Sequence, residues 1–386
     1  MNYFDPTAQV RSLYMHWPFC PYKCHFCPFV ALAGQDEFMQ DYHNALVKEV
    51  IDFAGAREVK CPLDTLFIGG GTPSTYPPEL LLDMFGTLYS KYEFAENAEI
   101  TLEVNPGTVT HEKLDTWKKV GINRLSIGVQ SLNNQVLKGL NRHQSATDVY
   151  ALLHDAQDMF DNLSVDLIVG LPGISAEEWK AFVEQVVTWP IKHVSMYFLT
   201  VHEDTPLYFG VKQQKIILPT DDTVVDLYYW TIERFNKAGL YQYEISNFAR
   251  TGYESRHNSV YWQRKAYKGL GLGACSFDGK SRFQSQKNLT NYMQGVAING
   301  DITIFQETLT DTQAWLEMLM LGLRQIKGVK LDAITQPLKQ EESERFLGVV
   351  QELLQAQLVQ ITNGYLALKP SGLAVVNEVI VQLSRS

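Results

Sequence analysis

The chain is short of basic charge. Its 33 Lys and Arg face 43 Asp and Glu, a formal net charge of −10 with a pI near 5.4. A surface that tracks nucleic-acid phosphates needs the opposite balance, so nucleic acid is not an expected partner. No stretch approaches the roughly 18 uninterrupted apolar residues of a membrane-spanning helix. Met1–Arg11 has neither the basic start nor the apolar core of a secretory signal. Repeats and low-complexity tracts are also missing. Cysteine is scarce, and three of the five present are clustered rather than paired, which without an export signal fits a reducing cytoplasm. What remains is an ordinary globular composition, 45% hydrophobic over 386 residues. That length suffices for one large domain with a smaller appendage.

Three of the five cysteines stand within eight residues, as Cys20-Pro-Tyr-Lys-Cys24-His-Phe-Cys27. Three thiolates on one short loop can hold an iron–sulfur cube by three corners, whereas a fully protein-ligated [4Fe-4S] cluster takes four Cys. One iron then keeps an open position, and open metal positions are where chemistry takes place. On the loop alone two other readings stand beside this one. One is a structural zinc site completed by His25 or His16, since Cys₃His is a common tetrahedral set. The other is a disulfide that strands the third thiol. Cys61, in Val-Lys-Cys-Pro-Leu, reads as a bystander thiol packed as a small hydrophobe.

Around this loop a short apolar run followed by a helical pattern recurs. The runs are 13–16, 64–68, 100–104, 124–129, 165–169 and 194–199, and helical patterns cover 36–53, 78–91, 112–120, 146–160 and 176–187. Gly121 supplies a helix stop, and Ser175 with Glu177 and Glu178 a helix start. Six alternating units predict an α/β fold with a parallel sheet, a partial (β/α)6 TIM-type barrel. After Thr200 a long helix is expected over 221–238, capped by Thr220 or Asp221, then a loop-rich stretch over 241–278. Helices over 311–325 and 341–357 precede a hairpin turning on Asn363-Gly364, and a last helix begins near Pro370. These imply a small helical, winged-helix-like C-terminal domain, too acidic for DNA. The expected organisation is a barrel over 1–240, an extension over 241–305 and the C-terminal module over 306–386.

The polar residues collect at one end of such a barrel, where the loops after parallel strands build the site. The cysteine loop follows the first strand, Gly69-Gly70-Gly71-Thr72-Pro73 the second, and Gln130 the fourth. Glycines let backbone approach a ligand closely, and no lysine follows them, so this is not a Walker-type phosphate loop. Glu103 and Asp166 are acids inside strands, where an unpartnered charge is costly. Glu103 accepts hydrogen bonds only, Gln130 both donates and accepts, and Arg142 offers a planar fork for a carboxylate. Each also has a plainer reading: a tight turn, a buried ion pair, a satisfied core amide or a surface arginine.

Together the motifs resemble the radical S-adenosylmethionine (SAM) superfamily, whose signature is CxxxCxxC. Tyr14-Met-His-Trp-Pro-Phe-Cys20, Gly-Gly-Gly-Thr-Pro-Ser74, Glu-Val-Asn-Pro106, Gly-Val-Gln-Ser131 and Asp-Leu-Ile-Val-Gly-Leu-Pro172 look like its HemN-type family. That family contains the oxygen-independent coproporphyrinogen III dehydrogenases and a heme-chaperone branch, the HemW type. The resemblance implies a cluster on Cys20, Cys24 and Cys27, with Tyr14, Gly70, Gly71, Thr72, Glu103, Gln130, Arg142 and Asp166 contacting SAM or the cluster. Within the family the chaperone branch is the better match. Pro28 and Phe29 stand where the dehydrogenase carries a further Cys, only thirteen residues precede Tyr14, and His257-Asn-Ser-Val-Tyr261-Trp262 matches the branch's HNxxYW heme motif. The resemblance thus implies heme bound near His257, apo-hemoproteins as recipients and an electron donor for the cluster. Pro28, in place of the usual Asp, and Cys275, in place of the usual His, depart from the pattern. Two rivals follow from the same residues: a porphyrinogen-oxidising enzyme and a zinc-stapled interaction protein.

Overall fold

The computed structural model describes residues 4–385. Six strands pair in chain order, all parallel: β1 (Ser12–Trp17), β2 (Leu63–Gly70), β3 (Phe94–Val104), β4 (Arg124–Gln130), β5 (Asn162–Val169) and β6 (His193–Phe198). The helices between them are α1 (Met39–Ala56), α2 (Pro78–Lys91), α3 (His111–Lys119), α4 (Ala146–Ala156) and α5 (Ala176–Val186), and α6 (Asp221–Lys237) follows β6. The βα alternation is the partial barrel expected from the sequence. Serine caps start α4 and α5, each with a reciprocal bond from the third helical residue. Gly121, at φ +90°, ends the α3 segment.

Strand parity divides the barrel into two faces. In β4, Leu125, Ile127 and Val129 join the hydrophobic core, while Arg124, Ser126 and Gln130 take the alternate positions. In β5 Leu163, Val165 and Leu167 alternate with Ser164 and Asp166 in the same way. Parallel strands covered on both faces normally read as near-continuous apolar runs. Here the inner face is polar, because it lines a basin.

Beyond β6 the chain closes both sheet edges. β7 (Tyr241–Gln242) and β8 (Asn247–Ala249) extend it antiparallel beside β6, and β9 (Lys268–Leu270) adds parallel to β1. The stretch expected to be loop-rich is therefore largely ordered into short elements. It includes a helix, Arg256–Trp262, started by the Ser255 side chain accepting from the Asn258 amide. An antiparallel sheet of Cys275–Phe277, Ser281–Ser285 and Thr303–Thr308 follows, with helix Leu289–Ala297 between its last two strands.

The C-terminal unit runs helix Asp311–Leu323, strand Val329–Lys330, helices Leu331–Thr335 and Gln340–Gln355, then the hairpin Val359–Thr362 and Tyr365–Leu368. Asn363 and Gly364 both have positive φ, as a tight hairpin turn requires. A large hydrophobic core includes residues from Phe4 to Leu383, and two smaller clusters, around Leu140 and Leu207 and around Val260 and Phe277, lie apart from it. Among the described residues no helix is long and apolar enough to cross a membrane.

Helix α1 latches the extension to the barrel. The Glu49 carboxylate accepts from the Gly271 amide at 2.8 Å and from the Tyr292 hydroxyl at 2.7 Å. Tyr42 donates to the His16 carbonyl and accepts from the Leu272 amide. Glu49→Ala leaves two buried donors without a partner. It is expected to lower unfolding stability by about 3 kcal/mol in a denaturant titration; a loss below about 1 kcal/mol would show that the latch contributes little.

Candidate functional site

The cysteine loop leaves β1 as a short parallel ladder, Phe19–Cys20 against Leu32–Ala33, so both ends of the loop are pinned. Its middle is pinned as well. The His25 amide donates to the Leu140 carbonyl, the Leu207 amide to the His25 carbonyl, and Asn141 Nδ2 to the Lys23 carbonyl. Cys20 and Cys24 are buried, Cys27 is half-buried, and all three thiols are free. The Thr72 hydroxyl donates to Cys20 Sγ at 3.2 Å, and Arg142 Nη1 lies 3.7 Å from Cys24 Sγ. Burial pushes the Cys20 thiol up to about 11 and raises Cys27 as well. Among the described residues no three His, Cys, Asp or Glu side chains converge on a single-ion site.

The glycine turn lies directly against this loop. In the β1–β2 register Trp17 is opposite Gly70, the Gly71 amide donates to the Trp17 carbonyl, and the Thr72 amide donates to the Phe19 carbonyl. A side chain at Gly71 would place Cβ 2.3 Å from the Pro18 carbonyl oxygen. At Gly70, with φ +122°, it would strike the His16 imidazole. Only glycine fits either position.

These elements enclose a cavity of about 460 Å³. Cys20, Cys24, Cys27, Gly70, Gly71, Thr72, Glu103, Gln130, Arg142 and Asp166 all line it. The Glu103 carboxylate accepts from the Gly70 amide at 3.0 Å. Burial, with Asp166 nearby, pushes Glu103 up to about 8, against the opposing pull of the Gly70 amide and Arg124. Burial also raises Asp166, which accepts from the Ser126 hydroxyl at 3.2 Å. Arg142 is not a surface arginine: it donates to the Gly128 carbonyl and to Gln144 Oε1. Gln130 ends β4 in the left-handed region at φ +64°, and its buried Oε1 lacks a protein partner. Strain and an unmet acceptor at one residue mark a position built for a ligand.

Tyr14 lines a second cavity of about 500 Å³, shared at one wall through Gly70, Glu103, Pro28 and Phe29. Its hydroxyl is hydrogen-bonded to His16 Nδ1 at 2.9 Å, and His16 Nε2 reaches the Val30 carbonyl. The resemblance implies heme near His257. His257 is 1% exposed and lines neither cavity. Nδ1 is hydrogen-bonded to the Thr65 hydroxyl and Nε2 to the Tyr261 hydroxyl, each at 2.8 Å. The cause is helical: residues 257 and 261 lie on one face, and that face is turned into the barrel.

Several lining residues escaped the sequence reading. Tyr22 accepts from Asn105 Nδ2 at 2.7 Å, and Tyr197 and Phe198 at the end of β6, with His202 beyond it, extend the first cavity. Asn105 sits in the Glu-Val-Asn-Pro motif, and Ser126 and Tyr197 share the parity of Gln130 and Ser195, so a period-2 reading finds them. Tyr22 and His202 leave no such signal.

The Radical SAM superfamily model matches residues 14–186, and the HemN C-terminal domain model matches residues 309–375. Heme chaperone HemW of Synechocystis is 34% identical over 85% of this chain and 80% of that protein. HemW of Bacillus subtilis is 30% identical over 96% of this chain and 98% of that one. The solved structure of Escherichia coli coproporphyrinogen III oxidase (HemN) superposes with a TM-score of 0.84, covering 99% of this chain and 91% of that one. At 24% identity that likeness concerns the fold.

Glu103 gives a pH test of the ligand-free site. The folded chain keeps a proton that the unfolded chain releases above about 4.5, so raising pH from there toward about 8 favours unfolding. Glu103→Gln is expected to flatten that dependence and to exceed the wild type in stability at pH 8. Parallel stability–pH curves for the two proteins would contradict it. Gly71→Ala, which displaces the Cys loop, is expected to cut bound iron after reconstitution several-fold, read as iron and sulfide per chain.

Proposed function

The chain belongs to the radical SAM superfamily and, within it, to the HemW heme-chaperone family, and on that premise we propose that it carries heme beside a SAM-binding [4Fe-4S] cluster and delivers the heme to apo-hemoproteins. Cys20, Cys24 and Cys27 would hold the cluster. Gly70, Gly71, Thr72, Glu103, Gln130, Arg142 and Asp166 would cradle SAM. The residues fit the ligand chemically. SAM carries an ammonium and a sulfonium, and two buried acids stand ready to ionise against them. Its carboxylate suits the Arg142 fork, and a donor group suits the unmet Gln130 Oε1. When bound, the pair supplies one-electron reduction of a sulfonium, for which an external electron donor is needed.

The observation that carries the chaperone reading is the second cavity, adjoining the first. Tyr14, Phe29, Tyr261 and Tyr267 give it flat aromatic walls suited to a porphyrin face, and Lys287 places a cation within reach of a propionate. In this arrangement Glu103 and Gly70 form the partition between SAM and heme. Free thiols at the site fit a reducing, cytoplasmic setting. The rival reading, porphyrinogen oxidation, draws on the whole-chain fold likeness to a coproporphyrinogen oxidase.

Anaerobic reconstitution should yield iron and sulfide with the broad absorption of a cluster. The reconstituted protein should bind ferric heme and release it to an apo-hemoprotein. Conversion of coproporphyrinogen III to protoporphyrinogen in the presence of SAM and a reductant would sink the chaperone reading. Zinc in place of iron would sink both.

A further inference from the structure

We infer that the phenol oxygen of Tyr261, not the imidazole of His257, is the group that meets heme iron, and that His257 positions it. The inference rests on the heme-chaperone reading and concerns the second cavity alone. His257 is the second residue of the Arg256–Trp262 helix. Its backbone amide donates to Glu99 Oε1 at 2.9 Å, and the neighbouring Arg256 amide to Glu99 Oε2. Its ring lies against Phe67, with centroids 5.1 Å apart. Both ring nitrogens have partners. Presenting the imidazole to a porphyrin would require breaking two side-chain hydrogen bonds and the start of the helix. Tyr261, one turn on, already stands on the cavity wall.

The hydrogen-bond chain has one arrangement that suits a ligand. The Thr65 hydroxyl donates to His257 Nδ1, and Nε2–H donates to the Tyr261 oxygen. The phenolic proton is then not taken up by the bond to His257. Tyrosinate is a known axial ligand of haem iron, and a fixed N–H donor stabilises its charge as a metal-ligand partner does elsewhere. The step balances without a redox change. Ferric heme arrives with hydroxide on iron; the Fe–OH bond breaks as the Fe–O bond to Tyr261 forms. The hydroxide takes the phenolic proton and leaves as water. His257 stays neutral throughout, in keeping with a buried ring whose proton affinity burial lowers.

The test is a titration of the reconstituted full chain with ferric heme, read by visible absorption, EPR and resonance Raman. Wild type should show a high-spin ferric signal with tyrosinate modes. Tyr261→Phe, which keeps the ring, should abolish those modes and weaken binding on the order of tenfold. His257→Gln keeps a donor and should retain the modes with a shifted Fe–O stretch. Iron and sulfide content and helicity of each variant serve as the folding control. The assignment is overturned if Tyr261→Phe keeps the wild-type spectrum, or if His257→Gln or Cys275→Ser alone removes it. No heme binding by the wild type would instead fell the chaperone reading itself.

Discussion

The β1–β2 register is the constraint on which the site depends. Trp17 opposite Gly70 sets the backbone of residues 71 and 72 against that of residues 17–19, with amide-to-carbonyl bonds at 2.8 and 2.9 Å. That contact fixes the exit angle of the cysteine loop, brings the Thr72 hydroxyl to Cys20 and leaves no room for a side chain at Gly71. A one-residue slip would turn every inward group of β2 outward. The cysteine loop and the glycine turn are therefore one mechanical unit.

Around that unit the barrel accepts an unusual interior. Arg124, Glu103 and Asp166 share a face where apolar residues would pack better, and Arg124 Nε and Nη1 lack protein partners. Burial raises both acids, so without a ligand the basin favours their neutral forms. A cationic ligand reverses the balance by stabilising the charged forms. Strained Gln130 and its unmet acceptor belong to the same economy of a site finished only by its ligand.

The extension supplies the wall that turns one basin into two. Glu49 and Tyr42 on α1 hold residues 271 and 272, and these carry the turn leading to Cys275. The Arg256–Trp262 helix closes the other side. The wall formed by Val260, Tyr261, Tyr267 and Phe277 packs as a small cluster of its own, and Phe26 of the cysteine loop packs in another, with Leu140, Ile168, Leu171 and Leu207.

The sequence by itself determined the parallel βα order, the cysteine loop, the glycine turn and the two inward acids. Each is a local matter: period-2 alternation, thiol spacing and the lack of a Cβ are written in neighbouring residues. It also marked Arg142 and Gln130, though not their grip, since the Gly128 carbonyl that holds Arg142 lies on another element. The tertiary structure alone decided which way the 257–262 segment faces. The six residues alone read as an aromatic-rich loop, and only the family resemblance implies a heme ligand at the histidine. A serine cap made them a helix, and Glu99, Thr65 and Phe67, all distant in the chain, drew His257 inside. The direction of a side chain on a short helix depends on what packs against it, and that information is not local.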